Sequence, residues 1–128
     1  MLSCSQVWHL VAQCLSSILD ISSGCFVGYN RYTTIQNNNF EWLGQSAVAL
    51  WGFVDGNDGT NGDQPRHTLV ASNFMRELGL LQKQSSCYFH AIAAQSTIIN
   101  NICFNIPRAG INFNGMSGSA CLVSSLVA

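Results

Sequence analysis

The chain has 128 residues and a net charge of −1, from five Lys and Arg against six Asp and Glu, so no basic surface for nucleic acid is expected. Charged residues make up only 9% of it, against roughly 25% in an ordinary soluble domain, and apolar residues make up 48%. This composition excludes a disordered chain, because apolar surface is ample and charge repulsion is small, and the length predicts one domain or part of one.

The first predicted element is an amphipathic helix within residues 1–25, which we interpret as a cap on the structure that follows. Polar side chains interrupt the run between Met1 and Leu19, so there is no stretch of about 20 apolar residues and no transmembrane segment is expected. No Lys or Arg precedes Arg31, which argues against a secretory signal peptide. Apolar residues repeat with helical spacing at Val7, Leu10, Val11, Cys14, Leu15 and Ile18.

A repeated pattern follows, in which an aliphatic residue and small polar residues precede an aromatic or sulfur-containing residue. Its copies occupy residues 35–40, 69–74 and 98–103. Winding of the chain in successive coils accounts for the pattern, because equivalent aliphatic residues then stack inside and corner asparagines form a hydrogen-bonded ladder. We therefore expect parallel strands that share one interior, into which three residues point: Ile35, Leu69 and Ile98.

Two further features agree with the coiled arrangement. Residues 47–52 align with residues 110–115 without a gap. Residues 52–67, rich in Gly and poor in apolar residues, are predicted to leave the coil as a loop. The alternative is a β-sandwich or meander, because Asn-rich turns occur in any β protein. A helical solenoid agrees least, since β-branched residues and Asn are poor helix formers.

Residues from Glu77 onward resemble a segment of the large right-handed parallel β-helix proteins of the pectate-lyase-like superfamily. The most specific match is residues 107–114, which read Pro-Arg-Ala-Gly-Ile-Asn-Phe-Asn. Shorter matches lie at residues 52–60, 64–66, 77–79, 83–86 and 88–89. The resemblance implies an all-β fold, a right-handed parallel β-helix of about three coils over residues 26–115.

The resemblance also implies that the chain is a fragment of a longer β-helix. Family members are longer, and residues 116–128 depart from their usual continuation, so we interpret these residues as an atypical tail. An extracellular location is expected for the family rather than a cytoplasmic one. The end coils of such a fragment expose unpaired strand edges, so self-association and marginal stability of the isolated chain are expected.

Carbohydrate is the ligand class that the resemblance implies, and three functions remain open. The first is a carbohydrate-associated β-helix segment that is catalytically incomplete on its own. The second is a polysaccharide lyase or epimerase acting on uronate polymers, and the third is a non-enzymatic structural or adhesive module. Exposure of Trp42 and Trp51 along one groove would favour the first two functions, because aromatic faces stack on sugar rings.

Candidate residues follow from the chemistry of these functions. A lyase needs a base and a cation that neutralises developing charge, for which the candidates are Lys83, Arg108 and Arg76. The candidates for substrate binding are Trp42, Trp51, Tyr88 and His90. Structural roles are the alternative, since His90 alternates with apolar neighbours and is expected to face outward as a polar position, and Arg108 is suited to binding backbone carbonyls at a corner.

No transition-metal site is predicted, because the six cysteines lack the spacing of zinc ligands. Cys87 and Cys103 lie in apolar runs and are interpreted as small buried hydrophobes, while the disulfide pairing stays open. One segment carries oxygen ligands of the kind that Ca²⁺ prefers, although without the spacing of an EF-hand. Its residues are Asp55, Asn57, Asp58 and Asp63.

Overall fold

The computed structural model describes residues 23–55, 58–114 and 121–127, and the regular elements within them are all β-strands. The predicted all-β class is therefore confirmed. The helix predicted over Val7 to Ile18 lies outside the described residues, and Cys25, at the end of the predicted cap, begins the first strand. Within the described ranges, no helix is long and apolar enough to cross a membrane.

The described strands are mostly short and follow one another with few residues between them. In chain order they are β1 (Cys25–Gly28), β2 (Thr34–Gln36), β3 (Asn39–Glu41), β4 (Val48–Trp51), β5 (Phe53–Asp55), β6 (Asp58–Asp63), β7 (Leu69–Ala71), β8 (Phe74–Arg76), β9 (Ser86–Ala91), β10 (Ser96–Phe104), β11 (Ala109–Phe113) and β12 (Cys121–Val127).

Two ladders of parallel strands run through the molecule. The first ladder contains β1, β4, β9 and β11 in that order. In the second ladder, β2 and β3 pair with β7 and β8, these pair with the two halves of β10, and β10 pairs with β12. Parallel bridges from Arg31 to Arg66 and from Arg66 to Ala94 form a third line of contact. Within the described ranges the chain thus visits both ladders four times, in units at residues 25–41, 48–76, 86–104 and, for the last, 109–113 with 121–127.

The predicted repeat is confirmed for its first and third copies and is displaced by one residue in the second. Ile35 and Ile98 both lie opposite Val70, and all three side chains are buried. Leu69 lies opposite Thr34 and is only partly buried, so the prediction that it shares the interior is wrong. Successive side chains of a strand point to opposite faces, so a shift of one residue turns Leu69 away from the interior.

The second predicted alignment, of residues 47–52 with residues 110–115, is confirmed in the described part of both segments. Val48 and Ile111 both lie opposite Tyr88 in β9. The pairs on either side keep the same register, with Ala49 and Asn112 both opposite Phe89. The register of the first ladder is therefore the same in these two units, although the segments that connect their strands differ in length.

Left-handed backbone conformations mark the corners of the units. Non-glycine residues in this conformation cost roughly 1–2 kcal/mol each, so they persist only where the backbone path requires them. Three equivalent positions in each of three units have φ between 49° and 57°. They are Tyr32, His67 and Gln95; Asn37, Ser72 and Asn100; and Trp42, Glu77 and Asn105. The recurrence with unrelated side chains shows that the units share one backbone path.

An asparagine ladder runs through the interior beside the apolar stacks. Asn38, Asn73 and Asn101 occupy equivalent positions, 35 and 28 residues apart, and all three are buried. The amide of Asn38 donates to Oδ1 of Asn73 at 3.1 Å, and the amide of Asn73 donates to Oδ1 of Asn101 at 3.0 Å. The amides also donate to backbone carbonyls, including that of Ile35. The ladder expected at a corner is thus present on these three residues.

A disulfide bond joins Cys87 and Cys103 across the interior of the third unit. The two residues are 16 positions apart, their Cα atoms are separated by 6.3 Å, and both side chains are buried. The interpretation as buried residues is confirmed, but the two cysteines are bonded to each other rather than packed as separate hydrophobes. The bond links the first residues of β9 to the end of β10 and so closes the third unit on itself.

Two segments that were predicted to lie outside the coils contain strands. In the predicted loop at residues 52–67, β5 and β6 form an antiparallel hairpin with Phe53 opposite Asp63. Gly52 is required where the hairpin leaves the unit, because a Cβ atom there would lie 2.5 Å from the Cα atom of Gln64. In the segment interpreted as an atypical tail, β12 continues the second ladder, with Cys121 opposite Ser96.

Candidate functional site

The outer face of the first ladder carries two columns of side chains, in which large aromatic and small residues alternate. In one column, Ala49 lies between Phe26 and Phe89. In the neighbouring column, Trp51 lies between Gly28 and Ala91. Phe26 is 59% exposed and Trp51 is 48% exposed, whereas Phe89 is partly buried. We call Phe26, Trp51 and Phe89 the aromatic platform.

Two rings of the aromatic platform stack on each other. The ring centroids of Trp51 and Phe89 are 5.8 Å apart, and the ring planes differ by 28°. The small residues beside them leave room for this arrangement, since Gly28 and Ala91 carry little or no side chain next to Trp51. Stacking restricts the rotamers of both rings, so the exposed indole is held in place before any ligand arrives.

The described columns that contain the aromatic platform carry no charged residue. Beyond Phe89, the first column continues to Asn112, a partly exposed residue at the edge of the platform. An amide offers both a hydrogen-bond donor and an acceptor without a charge. The surface therefore combines flat apolar rings with a neutral polar group, as in sites that bind small polar ligands through apolar faces.

Arg76 lies on the second ladder and is engaged in an ion pair. Its Nη2 donates to Oε2 of Glu41 at 2.7 Å, and Nδ2 of Asn39 donates to the other carboxylate oxygen at 2.6 Å. The hydrogen bond from Arg76, followed by that from Asn39, lowers the pKa of Glu41. The same hydrogen bond raises the pKa of Arg76. A guanidinium that is held protonated in this way is not available as a base.

Trp42 lies on a different surface from Trp51. It occupies a left-handed corner directly after β3, is 45% exposed, and is equivalent to Glu77 and Asn105 in the next two units. Among these three corner residues, the amide of Asn105 donates to both carboxylate oxygens of Glu77, at 2.8 and 2.9 Å. Trp51 instead ends β4 in the first ladder. Both tryptophans are exposed, but the topology does not place them in one column.

The two remaining basic candidates lie in exposed segments between strands. Lys83 lies in an exposed turn before β9, and Arg108 lies in an exposed segment before β11. Arg76, in contrast, lies in β8 and is paired with Glu41. A role of Lys83 and Arg108 as the base and cation of a lyase stays a prediction.

Tyr88 and His90 lie in the interior, each only 1% exposed. The prediction that His90 faces outward is wrong, because its register opposite Leu50 turns it to the inner face. The carbonyl of Ala93 can only accept, so Nε2 of His90 donates to it at 2.7 Å. Nδ1 of His90 then accepts from the Tyr88 hydroxyl at 2.9 Å. In this position neither side chain can contact a bound polysaccharide.

Burial lowers the pKa of His90, and the hydrogen bond to the Ala93 carbonyl opposes this effect only in part. The ring of Phe113 packs beside the imidazole, with centroids 5.1 Å apart. The neutral imidazole is therefore a hydrogen-bonded part of the core, and its two ring nitrogens are both satisfied.

No group of three or more His, Cys, Asp or Glu side chains is placed to hold a metal ion within the described residues. Of the residues considered for Ca²⁺, Asn57 lies outside the described residues, as do the side chains of Asp55 and Asp58. Asp63 is exposed in β6. A calcium site in this hairpin stays a prediction.

Sequence reasoning did not select Phe26 and Phe89, which complete the aromatic platform. The signal was present as three short segments that begin or end with an aromatic residue and have a small residue two positions away, at Phe26-Val27-Gly28, Ala49-Leu50-Trp51 and Phe89-His90-Ala91. Only the register of the first ladder shows that these segments lie side by side.

Comparisons with known proteins identify no related protein. No protein-family model matches the chain, and searches of the curated proteins and of the solved structures find no match.

Proposed function

We propose that the chain is a segment of a right-handed parallel β-helix that binds carbohydrate through the aromatic platform and is catalytically incomplete on its own. Support for the fold comes from successive units that return to the same two parallel ladders in constant register. Crossover connections between parallel strands of one sheet are right-handed in almost all proteins, which supports the proposed hand.

The stacked, half-exposed Trp51 is the observation that supports carbohydrate binding. Sugar rings present flat faces of C–H groups, and such faces pack on aromatic rings while the hydroxyl groups stay hydrated. Trp51 is stacked on Phe89, with Phe26 exposed in the column that contains Phe89. Exposed aromatic residues that lie together on a face without charge are unusual on a monomer surface and indicate a binding site.

Affinity gel electrophoresis with soluble polysaccharides tests this proposal. Trp51→Ala should weaken retardation by at least about tenfold, because it removes the stacking surface. Trp42→Ala is the matched control, since Trp42 is equally exposed but lies at a corner of the other ladder. Equal losses in the two variants, or no loss in Trp51→Ala, would contradict the proposal.

The ion pair of Arg76 supports the absence of catalysis. Arg76 is bound to Glu41, which holds its guanidinium protonated and so removes it as a base. We expect no unsaturated uronate from alginate or pectate, measured by ultraviolet absorbance. A clear signal that is abolished by Lys83→Ala or Arg108→Ala would instead support a polysaccharide lyase.

A further inference from the structure

We infer that the aromatic platform takes a neutral polysaccharide, and that the polysaccharide chain runs across the strands of the first ladder. This inference rests on the proposed carbohydrate binding and adds the class and orientation of the ligand. Two independent features support it, which are the distribution of charge around the aromatic platform and the placement of its rings.

Charge around the aromatic platform disfavours an acidic polymer. A polyuronate needs arginine or lysine side chains that pair with its carboxylates. The described residues of the two platform columns carry none. Arg31 and Arg66 lie in the third line of contact, beyond the corner at Tyr29, and Arg76, on the other ladder, is already paired with Glu41. In the hairpin that follows Gly52, the exposed Asp63 of β6 adds a negative charge, which disfavours an anionic chain.

The placement of the rings indicates the direction of the bound chain. Phe26 and Phe89 point out of the same column on strands separated by β4. Neighbouring strands are about 4.8 Å apart, so these two residues are separated by about 10 Å along the column. That separation matches the distance between the first and third rings of a chain of linked pyranoses, with the middle ring beside Trp51. Trp51, on the strand between them, stacks toward Phe89 and supplies the central contact.

The end of the column offers a neutral polar contact. Asn112 follows Phe89 in the same column, and its amide is suited to hydroxyl groups, which both donate and accept hydrogen bonds. A saccharide that extends from Phe26 past Phe89 would reach Asn112. The column therefore presents two aromatic rings followed by one amide, with Trp51 beside them in the neighbouring column, and none of these residues is charged.

Isothermal titration with neutral cello-oligosaccharides and with oligogalacturonates of equal length tests the inference. We expect the neutral hexasaccharide to bind and the oligogalacturonate not to bind, with an affinity that is unchanged between low and high salt. Phe26→Ala should weaken the hexasaccharide about tenfold and leave the disaccharide unaffected, because a disaccharide needs only Trp51 and Phe89. Asn112→Ala should weaken the hexasaccharide by a few fold.

The outcomes separate this inference from the proposed function. Salt-sensitive binding of oligogalacturonate that Trp51→Ala abolishes would overturn the neutral ligand and retain carbohydrate binding. Equal effects of Phe26→Ala on the hexasaccharide and the disaccharide would overturn the orientation. Failure of every saccharide to bind would overturn both proposals. Loss of self-association in Trp51→Ala, seen by analytical ultracentrifugation in place of saccharide binding, would show that the aromatic platform is a contact between copies.

Discussion

Asn73 connects three units of the fold through one buried side chain. Its Oδ1 accepts from the backbone and the amide of Asn38, and its amide donates to Ile35 and to Asn101. The amide dipoles of the ladder point in one direction, so each hydrogen bond polarises the next. A polar residue is tolerated inside an apolar core because all of these groups are satisfied at the same time.

Replacement of Asn73 should therefore be costly. Asn73→Leu removes the acceptor for the buried N–H of Asn38 and the donor for the carbonyl of Ile35. We expect the free energy of unfolding in urea to fall by about 2–4 kcal/mol. Asn39→Ala, at the exposed position that follows Asn38, should change the free energy of unfolding by less than about 0.5 kcal/mol. A stable Asn73→Leu variant would show that the ladder does not stabilise the fold.

His90 makes the stability of the fold dependent on pH. Burial holds its pKa below the ordinary value of 6.5, so below that pH the unfolded chain binds a proton that the folded chain does not. The free energy of unfolding should thus fall as the pH drops below about 6.5, by at most about 1.4 kcal/mol per pH unit.

Urea unfolding between about pH 8 and pH 5 measures this effect, in a range that avoids titration of the carboxylates. His90→Gln should remove most of the pH dependence, because glutamine does not titrate. His67→Gln is the control, since His67 is exposed and stacks on Tyr32 with ring centroids 4.6 Å apart. The explanation fails if His67→Gln, rather than His90→Gln, abolishes the pH dependence.

At the scale of elements, Gly52 controls the junction between β4 and the hairpin. A Cβ atom there would lie 2.5 Å from Cα of Gln64 and 2.6 Å from the carbonyl oxygen of Ile92, and neither backbone atom can move alone. Gly52→Ala should lower the free energy of unfolding by about 1–3 kcal/mol. Gly28→Ala is the control, because its Cβ would meet a flexible ring atom of Phe26 at 3.0 Å. We expect Gly28→Ala to remain within about 1 kcal/mol of the parent chain.

The repeat could be predicted from sequence where aliphatic residues alternate with asparagine. Ile35 and Ile98 were placed correctly for this reason, since the polar neighbours define which face is buried. In β7, Leu69-Val70-Ala71 is apolar throughout and contains no such marker. Pairing with β2 and β10 determines which residues of β7 face the interior. The local sequence of β7 does not show this pairing.

The candidate site was only partly predictable for the same physical reason. Trp51 could be selected as a large aromatic residue, but its stacking on Phe89 depends on the register of β4 against β9. His90 could not be assigned to the interior, because its partners Tyr88 and Ala93 are identified only in three dimensions. The Cys87–Cys103 bond is likewise one of many pairings that six cysteines allow.

At the scale of the whole molecule, the last described strand of each ladder has a described neighbour on one side only. In the described part of the chain, β11 pairs only with β9 and β12 pairs only with β10. Val123 lies opposite the buried Ile98 but is itself 42% exposed. Such edges present unpaired N–H and C=O groups that can add further strands, so we expect concentration-dependent self-association and marginal stability.

Sedimentation velocity over a range of concentrations measures this association. Val123→Lys should shift the distribution toward the monomer, because a charge on an edge strand opposes the addition of another strand. Ile102→Lys, at an exposed position of β10 between paired strands, is the matched control and should have a smaller effect. A monomer at all concentrations with a sharp melting transition well above the mesophile range would contradict the expectation.

The hairpin of β5 and β6 shows how the fold tolerates extra chain. Equivalent asparagines are 35 residues apart across the units joined by this hairpin and 28 apart across the next pair, yet the register of both ladders is unchanged. The additional residues leave the stack after Gly52 and return before β7. Closure of a longer loop costs little further entropy. The hairpin is therefore a natural place to graft a foreign peptide for display, with the scaffold beneath it undisturbed.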